Sequence, residues 1–198
     1  MKIQFPDYTG VRCLMMPYIQ GEPDSVPDRY QNYRDILEKV FVRKGDVGYL
    51  TIDESVATAG KPHRGARAQH GRALHTEVGS RCNWGSGGTW GGRPNVYLDR
   101  DTSILLANNL NNSCAFWDAV HENTSDDGDI GDQAHLYPYE DAIFMQAGEV
   151  HRIGIFTPHE SIPVKENVKR QFLRIISSGV HGRELYFTQN PLMEDRYV

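Results

Sequence analysis

Apolar positions along this chain fall in short runs bounded by Gly, Pro, Asn and Asp, not in long helical stripes. Val11–Ile19, Val47–Ile52, Leu74–Val78, the SILLA run within Asn95–Asn108 and Cys114–Val120 read as strands. So do Asp141–Gln146, Val150–Phe156, Arg170–Ser177 and Glu184–Thr188. One stretch departs from this pattern. Asp28 can cap a helix from about Arg29 to Phe41, with Tyr33, Ile36, Leu37, Val40 and Phe41 on one stripe. Roughly eight or nine strands and one helix, without βα alternation, predict a mainly β antiparallel sandwich or barrel. A jelly roll is one standard way to build it, and the helix is expected to pack on the outside of a sheet.

Three loops interrupt the pattern. Lys61–Arg72 is basic and either attracts an anion or is a solvated face. Gly79–Arg93 is glycine-rich, carries Trp84 and Trp90, and reads as a long loop whose tryptophans anchor it or form a lid. His121–Gln133 is acidic, but its spacing does not match an EF-hand.

Composition sets the class. The 198 residues suit one domain, 1–198, with an N-terminal strand and helix over 1–45 and a barrel core over 46–190. At 39% hydrophobic and 24% charged the chain reads as globular. No run reaches the ~18 apolar residues of a membrane span. A net charge of −5 argues against a nucleic-acid partner. MKIQFPDYTG lacks a basic-then-apolar leader, so the cytoplasm is the expected location. Cys13, Cys82 and Cys114 are odd in number and widely spaced, which fits free thiols.

The candidate chemistry lies in two places. His75-Thr76-Glu77 is a His-x-acid triplet on a predicted strand, so both side chains share a face. With 8 histidines and 26 acidic residues, about one such triplet arises by chance. A second histidine would complete the two-His-one-carboxylate set that suits non-haem Fe(II). His159, read as a turn residue after a strand, is the candidate, and His151 is its rival. His63, His70, His121 and His135 read as loop residues. Further on, Arg170, Phe172 and Arg174 share one face of a strand, and Gln171, Leu173 and Ile175 the other. An arginine facing an interior is costly unless it meets an anion, and a guanidinium forks onto a carboxylate. A small carboxylate-bearing molecule is therefore the expected partner.

His75-x-Glu77, then the distant His159, then Arg170 resembles the pattern of the Fe(II)/2-oxoglutarate-dependent dioxygenases over Arg72–Ser177, and RALHTEVG with the Gly/Trp loop and TPHES with RQFLR look like a poorly characterised group within that superfamily. The resemblance implies a double-stranded β-helix (jelly roll, cupin-like), with His75, Glu77 and His159 holding Fe(II). It implies Arg170 on the distal carboxylate of 2-oxoglutarate, with Arg174 sharing that role or gripping an acidic small-molecule substrate. Two readings stand beside it. One is a metal-dependent cupin enzyme that uses no 2-oxoglutarate; the other is a non-catalytic β-sandwich binding module.

Overall fold

A computed structural model describes residues 1–63, 72–76, 83–84, 88–89, 103–121, 128–177 and 188–193. The protein is mainly β, with two antiparallel sheets and few helical turns. The larger sheet holds β1 (Arg12–Ile19), β2 (Val47–Ala57), β6 (Ser103–Asn108), β9 (His151–Gly154) and β11 (Val168–Ser177), in the order β1-β2-β11-β6-β9. The smaller holds β3 (Leu74–His75), β7 (Cys114–Phe116), β8 (Ile143–Phe144) and β10 (His159–Ser161), in the order β3-β10-β7-β8. β4 (Asn83–Trp84) and β5 (Gly88–Thr89) pair as a separate ribbon, so the glycine-rich segment is not all loop.

Alternation along the long strands makes the larger sheet two-faced. Leu50 and Ile52 of β2, Leu105 and Ala107 of β6, and Leu173 and Ile175 of β11 join one cluster. That cluster is completed by Tyr30, Tyr33, Ile36, Leu37 and Val40. Tyr49, Ile104, Leu106 and Ile176 take the opposite face and pack with Cys114 and Phe116 of the smaller sheet. The second cluster therefore lies between the sheets. A third, with Leu74, Ala115, Trp117, Ile130 and Tyr137, covers the far side of the smaller sheet.

The N-terminal helix packs outside the larger sheet as expected, but it is shorter and tighter than its stripe predicted. Asp28–Tyr33 is a 3-10 segment, and only Arg34–Leu37 (α1) is α-helical. Asp28 makes no side-chain cap. The 3-10 geometry eclipses residues three apart, which sends Tyr30 and Tyr33 to the sheet together. There Tyr30 Oη donates to the Arg12 carbonyl at 3.1 Å and Tyr33 Oη to Glu54 Oε1 at 2.7 Å. Phe41, placed on the stripe by its spacing, is exposed instead.

Glu54 ties the N-terminal segment down. Its Oε2 accepts from the backbone N–H groups of Thr9, Gly10 and Val11 at 2.7, 2.6 and 3.2 Å. Its Oε1 also accepts from Gln171 Nε2 at 2.9 Å. Burial opposes the charge, but the bonds from Gln171, Tyr33, Thr9 and Gly10 outweigh it and hold the Glu54 pKa below its ordinary value. No helix among the described residues is long and apolar enough to cross a membrane.

Candidate functional site

A cavity of about 190 Å³ opens between the two sheets. β2 contributes Thr51 and Asp53, and β11 contributes Arg170, Phe172 and Arg174. Across the gap stand Cys114 of β7, His75 of β3 and His159 of β10. Sites for drug-sized ligands measure roughly 300–1,000 Å³, so the space suits a small metabolite.

The two histidines meet directly. His159 is not in a turn: it begins β10, which lies between β3 and β7, and it pairs with His75 on one side and Phe116 on the other. The turn stops earlier. Thr157 N–H donates to the Gly154 carbonyl, and Thr157 Oγ1 accepts from Gly154 N–H. Pro158 then disfavours a helical conformation at Thr157, and its own carbonyl accepts from Trp117 N–H at 3.0 Å. The chain is thereby delivered extended to His159.

Across the β3–β10 pair the imidazole centroids are 3.9 Å apart. His75 Nδ1 lies 2.9 Å from the Ala73 carbonyl and His159 Nδ1 lies 2.8 Å from the Thr157 carbonyl. A carbonyl only accepts, so each Nδ1 carries the hydrogen, and Nε2 is the basic nitrogen of each neutral ring. Metal-ligating histidines are commonly set up by a hydrogen bond of this kind at the other nitrogen. Glu77, two residues beyond His75, lies outside the described residues, as do the 78–82 segment and residues 64–71 of the basic stretch. Among the described residues no group of three or more His, Cys, Asp or Glu side chains comes together to hold a metal. His151 does not line the cavity; its ring packs on Phe116 at 5.2 Å and its Nε2 is 3.5 Å from Glu149 Oε2.

The acids around the cavity have their own cations. Glu160 Oε2 accepts from Arg72 Nε and Nη2 at 2.9 and 2.6 Å, and Oε1 accepts from Tyr139 Oη at 3.2 Å. Arg72 in turn lies over the Tyr139 and Trp117 rings at 4.3 and 5.2 Å. Burial first, and the Glu160 charge second, push the Tyr139 hydroxyl above its ordinary pKa. Asp53 Oδ1 lies 2.8 Å from Arg12 Nε. Asp53 Oδ2 and Ser55 Oγ lie 3.1 and 2.8 Å from His63 Nε2. Burial acts against the Asp53 charge, but His63 and Arg12 together hold its pKa below the ordinary value.

Among the described residues, that leaves Arg170 without a carboxylate. It is 4% exposed, its Nη2 donates to Cys114 Sγ at 3.2 Å, and its plane covers the Phe172 ring at 4.8 Å. Its Nε has no hydrogen-bond partner among the described residues. A buried guanidinium left this way is costly unless an anion comes to it. Arg174 lines the same cavity, with Nη2 donating to Met15 Sδ at 3.2 Å. Met15 reaches that position through a bulge in β1, where it takes a φ of 49°.

His63, read as a loop residue, lines this cavity and its backbone N–H donates to Ser161 Oγ at 3.1 Å. Asp53 and Ser55 both engage the same ring nitrogen. A Ser-His-Asp hydrolase triad uses opposite nitrogens, so this is not one. Neither His63 nor Asp53 carried a sequence signal. The one available hint was that Thr51, Asp53 and Ser55 alternate with Leu50, Ile52 and Glu54.

No protein-family model matches the chain, and no curated protein matches it. Among solved structures the chain is similar to EvdO2 from Micromonospora carbonacea var. aurantiaca, at 12% identity and a TM-score of 0.35, over 85% of this chain and 69% of that one. A likeness this distant shows neither a family nor a function.

Proposed function

We propose that this protein is a non-haem Fe(II)- and 2-oxoglutarate-dependent dioxygenase acting on a small molecule. The observation that carries the reading is the His75–His159 pair, each ring held at Nδ1 by a carbonyl, in one cavity with a buried guanidinium that lacks a carboxylate among the described residues. The donor set fits a borderline metal: two imidazoles with basic Nε2 atoms, and a carboxylate two residues along the chain at Glu77. His75, Glu77 and His159 would hold the ion. The chemistry such an ion supplies when bound is decarboxylation of 2-oxoglutarate to succinate and carbon dioxide, coupled to oxidation of a substrate.

This chain's residues supply position and charge. Arg170 takes the distal carboxylate of 2-oxoglutarate with a two-pronged hydrogen bond. Phe172, stacked under it, fixes the plane of the fork. Arg174, on the same face of β11, grips the cosubstrate or an acidic substrate. Apolar walls from Leu106, Phe116 and Met145 exclude water. In this reading the two sheets are the halves of a double-stranded β-helix, and their interleaved strand order supports it.

A melting titration with Mn(II) or Fe(II) and 2-oxoglutarate, singly and together, tests the proposal. At 100-fold over the dissociation constant each ligand stabilises by about 2.7 kcal/mol, and the two together should exceed the sum. Succinate should form with Fe(II) present. His75→Ala and His159→Ala should each abolish the metal shift, while His151→Ala keeps it. A metal shift with no response to 2-oxoglutarate would point to a cupin enzyme of another chemistry. No shift with either ligand would leave a binding module.

A further inference from the structure

Cys114 is a buried free cysteine that lines this cavity. Its thiol lines the space between the sheets, and Arg170 Nη2 lies 3.2 Å from Sγ. Arg170 is 4% exposed, faces the same cavity, and keeps an Nε without a partner among the described residues. The described acids that line the cavity are committed elsewhere, Glu160 to Arg72 and Asp53 to His63 and Arg12. The sulfur therefore stands beside a buried cation with spare donor capacity. An anion formed on that sulfur would find a guanidinium already in place.

Cys13 provides the contrast. It belongs to the cluster on the other face of the larger sheet, and its thiol donates to the Leu50 carbonyl at 3.7 Å. Burial pushes its pKa up to about 12. It lines no part of this cavity, and the Arg29 charge that acts on its thiol offsets the burial only in part.

We propose that Cys114 is an oxidative modification site whose sulfinate occupies the Arg170 anion site from within. The proposal rests on the reading of Arg170 as a carboxylate site. The oxidant is hydrogen peroxide, which is small and uncharged enough to enter. In the first step the sulfur attacks one peroxide oxygen, an S–O bond forms and the O–O bond breaks. Sulfur loses two electrons, and the second oxygen leaves as water with the thiol proton. A second peroxide repeats the exchange on the sulfenic acid, giving sulfinic acid and another water. The sulfinic acid releases its proton to solvent. Its two oxygens then accept from the guanidinium as a carboxylate's would. Arg170 is neutralised internally, and an incoming carboxylate loses its partner.

The test treats the full chain with hydrogen peroxide, with a chelator present so that trace iron generates no radicals. Residue-resolved mass spectrometry should find two added oxygens on Cys114 and none on Cys13. Oxidation should slow by about tenfold in Arg170→Met and less in Arg170→Lys. After peroxide removal, stabilisation by 2-oxoglutarate should be lost in the wild type and kept in Cys114→Ser given the same treatment. An unmodified Cys114, a rate unchanged in Arg170→Met, a disulfide to Cys82 in place of the sulfinate, or carboxylate stabilisation that survives full oxidation would each overturn the proposal. If untreated protein never responds to 2-oxoglutarate while Arg170-dependent oxidation persists, the carboxylate reading falls. The modification site would then stand without its link to ligand binding.

Discussion

Arg170 shows how one residue trades stability for a ligand. It is buried in an interior whose described carboxylates are already paired, so in the ligand-free protein it is a net cost. Arg170→Met keeps the stem and removes the charge. It is expected to raise the stability of the ligand-free protein by about 1–3 kcal/mol, while abolishing the stabilisation given by 2-oxoglutarate. Urea denaturation with and without the ligand reads both effects, and a destabilised variant would contradict the account. Its orientation was legible in sequence, because strict alternation over RQFLRII leaves only one face for Arg170, Phe172 and Arg174. The opposing residues Leu173 and Ile175 do pack into the other cluster. His63 was not legible in the same way. Its place in the cavity depends on Ser55 and Asp53 near the end of β2, a turn before it, and on Ser161 of β10, far along the chain, contacts that leave no periodic trace.

At the scale of elements, legibility followed length. β11 is legible from Arg170 on and β2 over Val47–Ile52, where each face repeats; β2 runs on to Ala57, a stretch the apolar run does not mark because Asp53, Glu54 and Ser55 are polar. β10 is three polar residues, His159, Glu160 and Ser161, all buried. It is a strand because β3 and β7 offer ladders on both sides, which local pattern cannot reveal. The N-terminal helix shows the converse: its stripe was real for Tyr33, Ile36, Leu37 and Val40, but tyrosine hydrogen bonds to the sheet tightened its first turns. The turn before β9 is as strongly determined by context. Gly148 has a φ of 74°, and a Cβ there would run into the Ile3 carbonyl. Ile3 N–H donates to the Gly148 carbonyl at 2.7 Å, tying the N-terminal residues to this turn. Gly148→Ala should cost about 2–4 kcal/mol, the left-handed penalty of 1–2 plus the collision. Gly60→Ala, with a φ of 70° and open space, should cost the penalty alone. Equal midpoints in chemical denaturation would remove the role given to Ile3.

The whole molecule is held by a few charged knots as well as by its three clusters. Glu54 joins the N-terminal segment, the tyrosine turn and β11, and Asp53 joins β1 to His63. Both carboxyls have folded pKa values below their ordinary 4.5 and 3.8. A depressed carboxyl pKa stabilises fully above the unfolded value and loses that contribution as pH falls through the folded one. Stability should therefore be flat from neutral pH to about 5 and fall steeply below about 4.5. Glu54→Gln should lose about 1.5–3 kcal/mol near pH 7 and show a shallower acid fall. Denaturant midpoints followed from pH 7 to pH 3 would reveal a parallel fall in both proteins if Glu54 is not responsible.

The β class, the long strands, the outside position of the helical segment and the shared face of Arg170, Phe172 and Arg174 followed from the sequence alone. Each depends on a repeat along one stretch of chain, and burial reads that repeat directly. The meeting of His75 with His159, the isolation of Arg170 from every described carboxylate, and the entry of His63 and Cys114 into one cavity were decided only by tertiary structure. Those depend on which strands become neighbours and which acid finds which base first. Such choices are made between segments tens of residues apart, where no local pattern can record them.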